Sequence, residues 1–228
     1  MMRLLFIFLF LTLLFFSSHA QVQSNGTGGG DWSNPASWQG GVVPDFTFGT
    51  ITILAGDQIN VNANFTIDQT TVQVGATLYV DPGAVLTINN GAGTDITVNG
   101  DLIVEGEFVL ANGSTHAGMT AGNTSFLAGS IYRHQFTTTQ GVIPLANWDT
   151  DSEVVIEGYI SAFTATAAGN WGQNFGNFTW NCPAQTGIVT LAGFLVSMNN
   201  VEVLSTGTSL LRLSVNQNPT INLAGNLT

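Results

Sequence analysis

The most regular part of the chain runs from Val72 to Leu110. Short apolar and β-branched runs recur there: Val72–Val74, Leu78–Val80, Leu86–Ile88, Ile96–Val98, Leu102–Val104 and Phe108–Leu110. Gly-Ala, Asp-Pro-Gly, Asn-Gly and Glu-Gly corners separate them. Runs this short do not make a meander of long strands. Each reads as one side of a small polygon whose successive turns stack as parallel strands. The pattern predicts an all-β chain, a right-handed parallel β-helix (β-solenoid) with three strands and roughly 20 residues per coil. An antiparallel β-sandwich is the alternative that short strands allow.

The same pattern opens at Ile51–Leu54, Gln58–Val61 and Phe65–Ile67, so residues 51–128 form the solenoid repeats. Within them Gly113–Ala128 is small and polar and reads as a loop or lateral excursion. A second β-repeat section covers residues 129–228. Thr97–Leu102, Thr190–Leu195 and Asn222–Leu227 share one form: an apolar strand residue, a small corner residue, a glycine, and a leucine two places on. Glycine suits a tight corner that needs φ > 0. Ile221, Leu223 and Leu227 look like the start of a coil, so the expectation is that coils continue beyond Thr228 and that the last one frays or self-associates.

Residues 21–50 read as a flexible start, Gln21 to Gly30, followed by an N-terminal cap. Trp32, Trp38, Phe46 and Phe48 are expected to cover the open end of the first coil. Residues 1–20 have the form of a secretory signal peptide: Arg3, an apolar run from Leu4 to Phe16, then Ser18-His19-Ala20 before a cut at Gln21. That run is too short to span a bilayer, and no later stretch is long enough. The mature chain is expected to be secreted or at the cell surface, with no transmembrane segment.

Charge narrows the partners. Charged residues are 7% of the chain, and there is no lysine. Once Arg3 is removed, Arg133 and Arg212 face 14 acids, a balance of 2 − 14 = −12. Such a chain does not neutralise phosphates, and it repels anionic membranes and polyuronates. The expected partner is an extracellular glycan or surface component, not nucleic acid. Cys182, the one cysteine, forms no internal disulfide and reads as a small buried residue.

Candidate chemistry is sparse. Asp149, Asp151 and Glu153 alternate, so in an extended segment they share a face and offer hard oxygens to Ca²⁺, a weak candidate set beside a solvated acidic strand. No other cofactor is implied. Glu105 and Glu107 also share a strand face, as a glycosidase pair does, but read as solvated residues. His116 and His134 stand apart and read as a loop residue and a turn contact. Trp148, Trp171 and Trp180 are the candidates for stacking on a glycan. No hydrolase, zinc-protease or nucleotide-loop motif occurs. The expectation is a non-catalytic, structural or adhesive protein, with a carbohydrate-binding or polysaccharide-degrading β-helix as the alternative.

Two stretches carry a resemblance. Trp32-Ser33-Asn34-Pro35-Ala36-Ser37-Trp38-Gln39-Gly40-Gly41-Val42-Val43-Pro44 resembles the opening of large exported surface proteins of the Bacteroidota, and is similar to the start of the G8 domain. Where those families carry an acidic residue and a valine after the last proline, this chain has Phe48-Gly49-Thr50-Ile51. The block Gln173-Asn174-Phe175-Gly176-Asn177-Phe178-Thr179-Trp180-Asn181-Cys182-Pro183 resembles the same Bacteroidota proteins. The resemblance implies β-helical repeats, adhesin-like surface exposure and export by the type IX secretion system.

Overall fold

The computed structural model describes residues 21–215 and 221–228. The signal-peptide expectation for residues 1–20 lies outside them. The described residues contain no α-helix, only 3-10 turns at Pro35–Ser37 and Ala167–Gly169. Three long parallel sheets wrap around one core, and two small ones follow toward the C-terminus, of Phe163–Thr164, Val189–Thr190 and Leu211–Arg212 and of Ser197–Met198 and Asn222–Leu223. The first long sheet holds Gln21–Gln23, Thr50–Ile53, Thr70–Val72, Ile96–Val98 and His116–Ala117. The second holds Gly29–Asp31, Gln58–Val61, Thr77–Val80, Asp101–Val104, Thr124–Phe126 and Asn147–Trp148. The third has seven strands: Phe65–Ile67, Val85–Ile88, Glu107–Leu110, Ile131–Gln135, Glu153–Glu157, Asn177–Asn181 and Asn200–Ser205. Among residues 50–135 the chain visits the three sheets in turn, so it is a three-sided β-solenoid. Every pair of described strands is parallel, and the one antiparallel bridge joins Ser24 to Trp38. The antiparallel sandwich is overturned.

The register of the third sheet gives the coil length. Leu86 lies beside Phe65 and Tyr132 beside Phe108, steps of 86 − 65 = 21 and 132 − 108 = 24 residues. Alternate side chains point inward, as the two-residue period of a strand requires. Ile59, Val61, Leu78, Val80, Leu102 and Val104 therefore form a fully buried column inside the second sheet. Each such aliphatic side chain stabilises the fold by about 1.5–3 kcal/mol relative to exposure.

At the Asn-Gly and Glu-Gly corners glycine works by close approach, whereas Gly75, Gly83 and Gly193 hold the positive φ expected of a tight corner. Gly100 and Gly106 do not have positive φ. A Cβ on Gly100 would strike the carbonyl oxygens of Gln73 and Ala76, and one on Gly106 those of Asp81 and Ala84. Each two-residue corner rests on the longer corner of the coil before it. Asn99 N and Gly100 N both donate to Val72 O, and Asp101 N donates to Ala76 O.

The cap forms largely as expected. Trp32 and Trp38 are buried edge to face, with ring centroids 4.8 Å apart, and Trp32 also meets Phe65. Trp32 Nε1 donates to Pro44 O and Trp38 Nε1 to Trp32 O. Phe48 packs partly on the core, but Phe46 stays 48% exposed and covers nothing.

Three stretches differ from the sequence reading. Gln21–Gly30 is the first coil, because its loop closes on a buried carboxylate. Asp57 accepts from Ser24 Oγ, Gly26 N and Gly28 N. Burial pushes Asp57 up, and the bonds from Ser24, Gly26, Gly28 and Gly29 outweigh it and hold its pKa below the usual range. Residues 113–128 are a coil as well, pinned by buried Met119, Thr124 and Phe126. Val74 lies past its strand, which ends at Val72, and is 74% exposed.

Candidate functional site

The stacking candidates are inside the solenoid. Trp171 and Trp180 are fully buried and Trp148 is 8% exposed. Trp180 stacks on Tyr159 and donates Nε1 to Gln185 Oε1. Trp148 stacks on Phe126 at 4.2 Å and donates Nε1 to Gln173 Oε1. Their ring faces are spent on neighbouring coils, because at these strand and corner positions an apolar ring belongs to the inward column. Trp171 and Trp180 offer no platform to a sugar, and their glycan-stacking assignment is corrected; Trp148, 8% exposed, lines a surface pocket of about 400 Å³ with Leu145, Asn147 and Gln173.

The acidic trio does not share a strand face. Asp149 and Asp151 sit at a corner, where Asp151 N donates to Asp149 Oδ1, and only Glu153 lies on the following strand. Glu153 accepts from Thr179 Oγ1 instead. Among the described residues, no group of three His, Cys, Asp or Glu side chains is placed to hold a metal ion. Glu105 and Glu107 also straddle a corner. Glu107 bonds Arg133 at 2.8 Å, and Arg133 reaches Glu157 at 3.4 Å. The Glu105 carboxylate beside the Tyr79 hydroxyl, then burial and the charge of Asp81, push the phenol up to about 12.

His134 is a strand residue and fully buried, not a turn contact. Its Nε2 faces Gln140 O at 2.8 Å and its Nδ1 the Tyr132 hydroxyl at 2.7 Å. A carbonyl only accepts, so Nε2 carries the proton and Nδ1 accepts from Tyr132. Burial depresses its pKa to about 4. The ring is neutral and saturated, a core connector rather than a base. His116 lies on a strand and faces Val142 O. Cys182 is fully buried, and burial pushes its thiol up to about 11. A thiol so protonated is a poor nucleophile.

One cleft brings apolar and polar groups together at the surface. It has a volume of about 460 Å³ and is lined by Gln21, Phe46, Phe48, Gly49, Thr50, Asp68, Gln69 and Ala92. It lies between the loop that carries Phe46 and the corner joining the third sheet to the first. That loop is fixed: Phe46 N donates to Thr66 O, and Thr47 N and Oγ1 both bond Asp45 Oδ1. Gln69 forms the opposite corner with a left-handed φ of 46°, and its Nε2 holds Ala92 O at 2.6 Å. Thr50 Oγ1 is buried in the wall with no hydrogen-bond partner.

Behind Asp68 stands Asp95, fully buried. Asp95 accepts from Gly91 N, Thr115 N and Thr115 Oγ1. Burial first, then the neighbouring Asp95 carboxyl, push Asp68 up to about 6, against the pull of Gln69 N. A carboxyl poised near neutrality beside half-exposed aromatic surface is the usual mark of a binding site. The sequence reading missed it. Asp68 and Asp95 are 95 − 68 = 27 residues apart and meet only because that coil is long, with Thr70 paired to Ile96.

Comparison with protein families, with curated proteins and with solved structures finds no match for this chain.

Proposed function

We propose that the chain is a secreted or cell-surface protein with a structural and adhesive role, and that it does not catalyse a reaction. The observation that carries this reading is the outer face of the third sheet. There one row runs Thr87, Val109, Arg133, Val155, Thr179 and Glu202 and a second runs Gln135, Glu157 and Asn181, on strands in parallel register up to the shift at Asn181. Rungs about 4.8 Å apart make a regular ladder suited to an extended scaffold, polar at its strand ends and interrupted by the buried Val109 and Val155. The reactive side chains, His134 and Cys182, are spent in the core. The resemblance of the Trp32–Pro44 and Gln173–Pro183 segments to exported Bacteroidota surface proteins supports the same location, with cleavage after Ala20 and export by the type IX route.

The structure also explains what the second segment does. Gln173 accepts from Ala146 N and Trp148 Nε1 and donates to Pro144 O and Asn170 O. Asn177 donates to Ser152 O and accepts from Asn200. Gly176 admits no Cβ against the carbonyls of Asp149 and Ser152. The segment recognisable in sequence is a coil-to-coil fastening.

Fractionation of producing cells tests location: the outer surface or medium should hold a chain beginning at Gln21, and a cytoplasmic chain beginning at Met1 overturns the reading. Beads coated with the mature chain should attach to extracellular polysaccharide without releasing reducing ends. The alternative, a carbohydrate-active β-helix, is favoured by the Asp68 cleft, and release of reducing ends abolished in Asp68→Asn would establish it.

A further inference from the structure

We infer that the cleft between Phe46 and Asp68 is a binding site for a neutral saccharide, and that Phe46 is its stacking platform. The inference rests on the adhesive reading above and names the surface that performs it. Phe46 is 48% exposed on a chain whose tryptophans are all core residues, or nearly so. A large ring left in water beside a fixed wall is available for a sugar's apolar face, as aromatic platforms are. The loop behind it is already hydrogen-bonded to Thr66 and Asp45, so the ring meets a ligand with little ordering left to do.

The opposite wall supplies the polar half. Gln21 and Gln69 carry planar amides, which both donate and accept, although one Gln69 N–H is held by Ala92 O, and Asp68 adds a carboxyl. Sugar hydroxyls need this mixture of donors and acceptors. No lining side chain is basic, and the mature chain is strongly acidic, so uronates, sulfated sugars and phosphates are disfavoured. A volume of about 460 Å³ lies in the range of small-ligand sites.

The test is isothermal titration of the mature chain with short neutral gluco-, manno- and galacto-oligosaccharides. Polygalacturonate and a chitosan oligomer serve as anionic and cationic probes. The expected result is saturable binding to at least one neutral series. That binding weakens about tenfold or more in Phe46→Ala and is kept in Phe46→Tyr. Phe46 is half exposed, so the variant should fold, with an unchanged melting temperature. Ala92→Trp, which fills the cleft from its exposed far wall, is expected to abolish binding independently. No neutral binding, equal binding in all variants, or binding of chitosan alone overturns the proposal. Attachment of coated beads to whole polysaccharide separates the two claims. Attachment unchanged in Phe46→Ala and Ala92→Trp overturns the cleft and leaves the adhesive reading intact. Oligosaccharide binding at the cleft without bead attachment upholds the cleft and overturns adhesion.

Discussion

Residues 50–110 and residues 131–201 occupy the same three-sided helix but fill it differently. The first region has a mainly aliphatic interior of Ile, Val and Leu, repeated coil after coil, with Phe65 and Phe108 the aromatic exceptions on the third sheet. The second is filled by Tyr132, His134, Trp148, Tyr159, Trp171, Phe178 and Trp180. Aliphatic side chains need only the alternation of a strand to find their column. Aromatic ones bring hydroxyls and ring N–H groups into the core, and each must be matched. Tyr159 donates to Gln140 O, Trp180 to Gln185 Oε1 and His134 to Gln140 O. Trp171 Nε1 is left without a partner. One backbone scaffold thus tolerates both a uniform core and a jointed one, and the jointed one is expected to be the more sensitive to acid and to truncation.

The largest test removes an aromatic from the jointed half. Trp180→Ala should cost about 3–5 kcal/mol. Because each coil contacts mainly its neighbours, hydrogen exchange should rise around residues 153–212 and stay slow around residues 51–104. Loss of protection throughout would show the two halves to be one cooperative unit. Acid comes next. His134 has a folded pKa of about 4 against 6.5 unfolded, so its contribution is full above pH 6.5 and is lost as pH falls toward 4. That loss should approach about 3 kcal/mol, read as tryptophan fluorescence changing in the aromatic half first. In His134→Gln the pH dependence should flatten.

The aliphatic half answers to carboxyls. Asp57→Asn should cost about 1.5–3 kcal/mol and free the Gly26–Gly30 loop, because bonds to a buried charged group are lost. The lowered pKa of Asp57 means its support is present above 3.8 and disappears as pH falls below that. Asp68 has the opposite sign. Its pKa is raised from 3.8 to about 6, so the fold is favoured below 3.8 and loses that advantage as pH rises through 6. Asp68→Asn should therefore melt higher than the parent at pH 7, by about 1 kcal/mol after allowance for solvent in the cleft. Equal melting would show the two carboxyls to be uncoupled. Arg133→Gln should have the smallest effect, about 0.2–1 kcal/mol, since its ion pairs are partly exposed.

The same contrast explains what could be read from the residues. Leu78–Val80, Leu86–Ile88 and Leu102–Val104 announced themselves because β-branched alternation between glycine corners has few other meanings. Gly29–Asp31 did not, since a strand of glycines carries no pattern. It forms because a bare backbone fits against Gln58, where a Cβ on Gly29 would collide. Residues 113–128 read as a loop because three buried anchors, Met119, Thr124 and Phe126, are scattered among small polar residues. The tryptophans were legible as important and illegible as to side. Exposure at Phe46 and the meeting of Asp68 with Asp95 depend on coil length and loop path, which local pattern does not encode.

The stacking of coils has a mechanical consequence. The hydrogen bonds between coils run along the solenoid axis, so tension applied between the two ends pulls on them in line. Every ladder carries the same load, and the terminal coil, held by a neighbour on one side only, opens first. Yielding should be a staircase rather than a single rupture. Each released coil of 21 to 24 residues extends to about 75 Å at 3.3–3.6 Å per residue. Under shear a molecule of this design lengthens by a coil at a time and keeps the rest of its body folded.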